Sequence, residues 1–355
     1  MDTYLRNKLQ TISFVLVVLV VFCHATNLTY NFDSETVLIK KGVNWFLQTA
    51  ISDGVGKIAS PLFFSISGFL FFYSIQDGSM KEFFPKYIKR FNTLVLPYFL
   101  WSLYGILLYF ALQSNSFSKP FFTNGLISDL TLIQIIDIVL LNPIPYHFWY
   151  VRDLVMLIII SPILFWLINR FGLYVLLVFL IFWIYALNFQ IFTSRALLYF
   201  SLGAYFSIKN INMNNLKFRN SYFIPVMWLA LILLKTTLGF MDFENEFLIE
   251  LVKQASIVAG IISVWCLYDY IFINRDVTKT RLYPLFQYSF FLFAFHEPLL
   301  SIVKKLLNFL LGQSEIISFI IYVTAPLVTI FLSLLVASYM KIFVSRFYRL
   351  MTGGR

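Results

Sequence analysis

Charged residues are what this sequence has least of. Only 12% of its 355 residues are Asp, Glu, Lys or Arg, whereas 60% are hydrophobic and 20% are aromatic, including 42 Phe. Its mean hydropathy is +0.80. Because soluble domains typically carry about 25% charged residues, this composition excludes a soluble globular protein. It indicates a chain that crosses a membrane several times.

Cysteine is nearly absent as well. The chain has Cys23 and Cys266, both in apolar runs, which give neither a disulfide framework nor the spacing of metal ligands. We therefore expect no bound metal. The net charge is +10, but the basic residues are spread over short segments instead of forming a dense tract. This pattern argues against a nucleic-acid partner and favours membrane topology.

Apolar runs of about 20 residues, the length that crosses a bilayer, occur ten times. They lie near residues 10–28, 58–76, 91–113, 148–168, 172–188, 193–208, 221–239, 249–273, 285–311 and 315–344. No soluble domain or internal repeat is visible. The sequence therefore predicts one all-α transmembrane bundle of about ten spans over residues 1–355.

The positive charges set the expected orientation. With the N-terminus inside, the inner segments carry Arg6, Lys8, Lys81, Lys86, Lys89, Arg90, Arg170, Lys209, Lys217, Arg219, Arg275, Lys279 and Arg281, and the C-terminal tail adds Arg346, Arg349 and Arg355. Because Lys and Arg concentrate on the cytoplasmic side, both termini are predicted to be cytoplasmic. The outer connections 29–57 and 114–147 each contain an apolar stretch too short to cross, which predicts interfacial or re-entrant segments.

All three histidines, His24, His147 and His296, lie inside or at the edge of predicted spans. A polar ring in hydrocarbon needs partners, so intramembrane histidines are functional candidates. At 1.5 Å per helical residue, His24 lies roughly 20 Å and His296 roughly 17 Å from the inner surface. This similar depth predicts that they line one cavity, together with Arg152 and Asp153 at the start of the fourth span. Adjacent residues point about 100° apart on a helix, so Arg152 and Asp153 each need another partner.

Four segments together resemble the type-3 acyltransferase family of integral membrane O-acyltransferases. They are LVVLVVFCHATN in the first span, PLFFSISGFLFF in the second, YHFWYVRDLVMLIIISPIL in the fourth and SFFLFAFHEPLL in the ninth. The resemblance implies transfer of an acyl group, often acetyl, from cytoplasmic acyl-CoA to a hydroxyl of a glycan or lipid-linked sugar at the outer side of the membrane. It also implies a bacterial inner membrane.

The resemblance assigns candidate residues to the donor. The family's first-span histidine matches His24, but Ser13 stands where the family usually has an arginine, eleven residues earlier. Arg6 lies on the same helical face, five turns before His24. The family's basic loop before the third span is represented by Lys86, Lys89 and Arg90. These five positions are the candidates for holding acyl-CoA.

The remaining candidates concern the reaction and the acceptor. Histidine suits general-base catalysis at neutral pH, and His24 is the candidate base. His296 and Arg152 are candidates for orienting the acceptor or stabilising the oxyanion, and Asp153 or Glu297 for orienting an imidazole. Further acceptor-site candidates are His147, Tyr150, Ser67 and Glu297. The Ser67-Gly68 pair favours close helix approach or backbone hydrogen bonding over nucleophilic catalysis.

Two other classes of function remain open at this level. An exporter or flippase of a polysaccharide or lipid-linked intermediate also needs polar groups near the membrane midplane. A catalytically silent scaffold in a polysaccharide assembly machine is the third hypothesis. Turnover of acyl-CoA by the purified protein separates the enzyme from both.

Overall fold

In the computed structural model the regular structure of the described residues is helical apart from one short β-ribbon. The structure describes residues 1–32, 35–38, 40–116, 118–119, 122, 125–187, 189, 191–213, 222–312 and 314–354. Strands β1 (Thr29–Phe32) and β2 (Glu35–Leu38) pair antiparallel, with Thr29 opposite Leu38. The ribbon lies within the connection that was predicted to be interfacial or re-entrant.

Thirteen helices are described in these residues and are numbered here in chain order. They are α1 Thr3–His24, α2 Val43–Phe72, α3 Met80–Ser114, α4 Leu132–Leu140, α5 Trp149–Ile159, α6 Ser161–Phe171, α7 Leu173–Ile184, α8 Ser194–Ile208, α9 Phe223–Phe240, α10 Glu246–Phe272, α11 Ser289–Leu311, α12 Glu315–Phe343 and α13 Ser345–Thr352. Short 3-10 turns lie at Ile127–Asp129, Tyr146–Phe148, Val277–Lys279 and Tyr283–Tyr288.

Each of the ten predicted spans contains a helix, but the count of ten is not confirmed. Among the described residues, 6 helices are long and apolar enough to cross a membrane, or 7 if α5 and α6, bent by 65°, form one span with the preceding turn. Helix α7 has 12 residues and α8 has 15. At 1.5 Å per residue they reach about 18 and 22 Å, less than the roughly 30 Å hydrocarbon core.

The second span begins earlier than predicted. Helix α2 starts at Val43 and runs unbroken to Phe72, through a π-helical stretch at Thr49–Val55. The sequence prediction ended a connection at residue 57 because polar residues interrupt the apolar pattern there. One of these, Gln48, is fully buried, and Asp53 pairs with Lys57 one turn later at 2.9 Å. Polar groups that have partners do not break a helix. The polar residues before residue 58 therefore did not mark the start of the second span.

The chain forms two compact units. The first comprises Met1–Val20, Ala50–Arg90 and Asp153–Ser289. In it, α2 and α8 approach so closely that a Cβ on Gly68 would overlap the Phe200 carbonyl, and a Cβ on Gly203 would overlap the Ser65 carbonyl. Small residues permit this backbone contact between membrane helices. The role predicted for the Ser67-Gly68 pair in close helix approach is confirmed at Gly68.

The second unit comprises Val21–Thr49, Phe91–Arg152 and Phe290–Arg355. A buried polar network crosses it. The side-chain nitrogen Nδ2 of Asn27 donates to the Ser318 backbone carbonyl at 3.0 Å. The side-chain nitrogen Nε2 of Gln48 donates to the side-chain oxygens of Asn27 and Asn44, each at 2.8 Å. Because buried amides need such partners, the network fixes the segment after α1 against the starts of α2 and α12.

Candidate functional site

The second unit brings all three histidines together. The ring centroids of His24 and His296 are 5.6 Å apart and stacked, and those of His147 and His296 are 4.3 Å apart. His24 and His147 are separated by 6.4 Å. The predicted proximity of His24 and His296 is therefore observed. The cluster draws on the last residue of α1, the turn before α5 and the middle of α11.

A break in α11 orients His296. Pro298 has no backbone N–H and disfavours helical geometry at the residue before it, and Glu297 is non-helical with φ −114° and ψ 134°. Just before the break, the Phe293 carbonyl lies 2.6 Å from His296 Nδ1. A carbonyl only accepts, so Nδ1 carries the proton in the neutral ring. Nε2, which is buried and has no hydrogen-bond partner among the described residues, then holds the lone pair.

His24 is held through its ring and through its backbone. The Tyr146 hydroxyl lies 2.7 Å from His24 Nδ1. Lys304 Nζ donates to the backbone carbonyls of His24 at 2.7 Å and of Thr26 at 3.3 Å. Carbonyls at a helix C-terminus lack intrahelical partners, and a cation there also favours the helix dipole. Lys304 thus fixes the end of α1 that carries His24, which is partly exposed.

His147 is 2% exposed and sits in the 3-10 turn Tyr146–Phe148. Pro145 starts that turn, and it packs on α3 at Gly105, where a Cβ would lie 2.6 Å from Pro145 Cδ. Phe293 packs edge-on to the His147 ring at 4.9 Å. Because Gly105 has no side chain, Pro145 can pack against α3, and the turn that follows places His147 in the cluster.

Sequence reasoning missed Lys304, Tyr146 and the Phe293 carbonyl. Glu297, a candidate for orienting an imidazole, is 2% exposed and interacts electrostatically with Lys304. The sequence could have indicated Lys304, because a lysine inside the apolar ninth span needs a polar partner, as the histidines do. It could not have indicated the carbonyl, because every residue has a backbone oxygen and the sequence does not show which one a histidine ring approaches.

The other candidates from the fourth span divide between the units. Arg152 Nη1 donates to the Leu141 carbonyl at the end of α4, at 3.0 Å. Tyr150 packs edge-on to Phe293 at 5.9 Å. Asp153 belongs to the first unit, where its carboxylate accepts the Thr193 backbone N–H at 3.1 Å. The prediction that Arg152 and Asp153 take separate partners is met by these contacts.

Comparison with known proteins identifies the family. The family described as "Acyltransferase domain" matches residues 9–338, nearly the whole chain. The chain belongs to the type-3 acyltransferase family. It is also similar to the succinoglycan biosynthesis protein ExoH of Rhizobium meliloti (strain 1021), with 24% identity over 344 residues, covering 96% of this chain and 89% of that protein. No solved structure matches.

The candidate donor residues of this family member all lie in the first unit. Arg6 and Lys89 are exposed, and Ser13 is partly buried. Lys86 donates to the Phe71 carbonyl, and the Arg90 guanidinium lies over the Phe71 ring at 6.0 Å. The structure thus leaves Arg6 and Lys89 accessible on helix surfaces, while Lys86 and Arg90 both contact Phe71.

A buried cation in the first unit was not anticipated. Lys8, read from the sequence only as an inner positive charge, is 2% exposed and pairs with Asp269 at 2.7 Å. Its Nζ lies 3.7 Å from the centroid of the Trp265 ring, and Tyr4 donates to the same carboxylate at 2.6 Å. Because its charge is already paired, Lys8 is a structural residue of α1 and not an added donor candidate.

Replacement of Lys304 by methionine is expected to destabilise the second unit. The variant loses two hydrogen bonds from a charged donor, each worth about 1.5–3 kcal/mol, and leaves Glu297 without its counter-charge. We expect a lower melting temperature in detergent and a reduced turnover. Lys305→Met is the matched control, because Lys305 is the exposed neighbour. Equal melting temperatures for the two variants would contradict the role given to Lys304.

Proposed function

We propose that the protein transfers an acyl group, acetyl being the first candidate, from cytoplasmic acyl-CoA to a hydroxyl of a glycan or lipid-linked sugar at the outer side of the membrane. The observation that carries the proposal is the histidine cluster in a member of an acyltransferase family. The glycan acceptor is supported by the similarity to a succinoglycan biosynthesis protein. The family and the apolar helices support an integral membrane enzyme, which we place in a bacterial inner membrane.

In the proposed reaction, His24 is the general base. It accepts the proton of the acceptor hydroxyl as the hydroxyl oxygen attacks the thioester carbonyl carbon. The tetrahedral intermediate then collapses, the carbon–sulfur bond breaks, and the proton passes to the leaving CoA thiolate. His24 suits this role because its ring is partly exposed, whereas His296 is fully buried.

His296 is proposed to orient the acceptor. With its Nδ1 proton given to the Phe293 carbonyl, the neutral ring presents only an acceptor at Nε2. It can therefore receive a hydrogen bond from a sugar hydroxyl but cannot donate one to an oxyanion. Because the ring is fully buried, this contact requires the cluster to open when the acceptor binds. Tyr150 packs on Phe293, which also contacts His147 of the cluster. The partly exposed Tyr150 ring suits packing against a sugar ring.

The donor is proposed to bind at a basic cytoplasmic mouth, because CoA carries several phosphate charges. Neutralising Arg6, Lys86, Lys89 and Arg90 with glutamine is expected to raise the KM for acyl-CoA by at least tenfold and to leave kcat within about threefold. The matched control neutralises four other basic residues from predicted inner segments. They are Arg170, Lys209, Arg275 and Lys279. An equal rise in KM for both variants would show that general charge, not this mouth, attracts the donor.

The deciding experiment measures thioester cleavage. Purified protein in detergent is incubated with acetyl-CoA or longer acyl-CoAs, with or without a hydroxyl-rich glycan acceptor, and released CoA thiol is titrated. We expect release that requires the acceptor and labels it from a radiolabelled acyl group. An exporter or a silent scaffold gives no thiol release with any acyl-CoA. That result would reject the proposed function.

A further inference from the structure

The first unit contains a cavity of about 490 Å³ that the proposed reaction does not use. It lies among α1, α2, α7, α8 and α10, and its surface is almost wholly apolar. The Ser65 hydroxyl, which borders it, already donates to the Pro61 carbonyl at 3.1 Å. An apolar cavity of this size does not hold ordered water, because water needs polar partners. Its volume lies in the range of small-ligand sites.

The cavity opens on the side of α7 and α10. The lining residues that are most exposed, Leu173, Leu177 and Val258, belong to these two helices. A ligand that enters past leucine and valine side chains loses any water bound to its polar groups, at a cost of several kcal/mol for each unpaired group. The opening therefore admits hydrocarbon and excludes a sugar or a nucleotide.

The length of the cavity matches one leaflet. Along α7 it extends from Leu173 to Trp183, which is about 15 Å at 1.5 Å per residue. Half of the roughly 30 Å hydrocarbon core is also about 15 Å. On α1 the cavity is lined by Leu9 and, one turn closer to the helix start, by Leu5, which the exposed Arg6 follows in the sequence. A phospholipid of one leaflet, with an acyl chain in the cavity, would thus have its headgroup phosphate at the level of Arg6.

We propose that this cavity binds one acyl chain of a membrane phospholipid, with the phosphate near Arg6. The shape, the apolar lining, the lateral opening and the adjacent positive charge each match one part of that molecule. The bound acyl chain would pack beside α7 in the first unit. This helix has 12 residues, which are too few to cross the bilayer. The cavity itself is separate from the proposed acyl-transfer site, because none of the histidines borders it. The two proposals share Arg6, which is also a candidate for holding acyl-CoA.

The test uses protein washed exhaustively in detergent and titrated with phosphatidylglycerol, with bound lipid counted by native mass spectrometry. We expect one phospholipid per chain that outlasts the others as collision energy rises. The double variant Leu177→Phe/Ile262→Phe places two rings in the cavity and is expected to weaken this binding by at least tenfold. The matched control is Val178→Phe/Leu267→Phe, which adds the same rings at exposed positions on α7 and α10 outside the cavity.

Two further titrations identify which kind of lipid supplies the bound hydrocarbon chain. Palmitoyl-CoA and a polyprenyl phosphate are offered in place of phosphatidylglycerol at the same concentrations. Binding of either one without binding of phosphatidylglycerol would overturn the phospholipid assignment. Absence of a retained lipid in the wild-type protein, or equal retention in the filled and control variants, would overturn the site itself. The wild-type measurement stands even if a variant fails to fold.

Discussion

His24→Ala is expected to lower kcat by about 10²- to 10⁴-fold, the usual contribution of a general base, while the KM for acyl-CoA stays near its normal value. The reason lies in the geometry of the site. His24 is the partly exposed ring of the cluster, and its position is fixed by Tyr146 and by Lys304. Steady-state release of CoA thiol measures both constants.

Two companion variants separate basicity from orientation. His24→Gln keeps a polar side chain of similar size but no base, so its kcat should fall as far as that of His24→Ala. Tyr146→Phe keeps the base and removes one hydrogen bond to it, worth about 0.5–1.5 kcal/mol, so a loss of roughly two- to tenfold is expected. If a correctly folded His24→Gln protein retains a tenth or more of the normal kcat, another group is the base.

Gly203→Ala is expected to have the largest effect on folding. The added Cβ would overlap the Ser65 carbonyl of α2, which is backbone and cannot turn aside. The two helices must then move apart, and overpacking of this kind costs about 1–3 kcal/mol or more. We expect a lower melting temperature and a lower yield of monodisperse protein from the membrane.

Ala230→Val is the matched control for this prediction, because Ala230 is exposed on α9 and has room for a larger side chain. Gly68→Ala tests the reciprocal contact, since its Cβ would overlap the Phe200 carbonyl. A Gly203→Ala protein with the wild-type melting temperature would mean that α2 and α8 separate without loss of packing.

Composition and apolar runs were enough to predict a helical membrane protein and the approximate place of each helix. Depth along the helices also predicted that His24 and His296 lie close together. These successes share one cause. Both depend on the fixed rise of an α-helix and on the cost of polar groups in hydrocarbon, which act residue by residue. The sequence alone is therefore sufficient to predict the positions of the helices and the depth of the histidines.

The rest depends on partners that are distant in sequence. The early start of α2 follows from burial of Gln48 in the network with Asn27 and Asn44, and no local pattern shows that burial. The predicted span 172–188 also ended too late, because its apolar residues continue past Ile184, where α7 ends. Likewise, the tautomer of His296 follows from the contact of its Nδ1 with the Phe293 backbone carbonyl, which residue types alone do not indicate.

The network around Asn27 also has a practical consequence for producing the protein. Asn27-Leu28-Thr29 matches the acceptor pattern for N-linked glycosylation. Its Nδ2, the atom that would carry the sugar, instead donates to the Ser318 carbonyl, and Asn27 is 7% exposed. Attachment of a glycan would require this asparagine to leave the folded interior. The folded protein made in a eukaryotic secretory pathway is therefore expected to carry no sugar at Asn27.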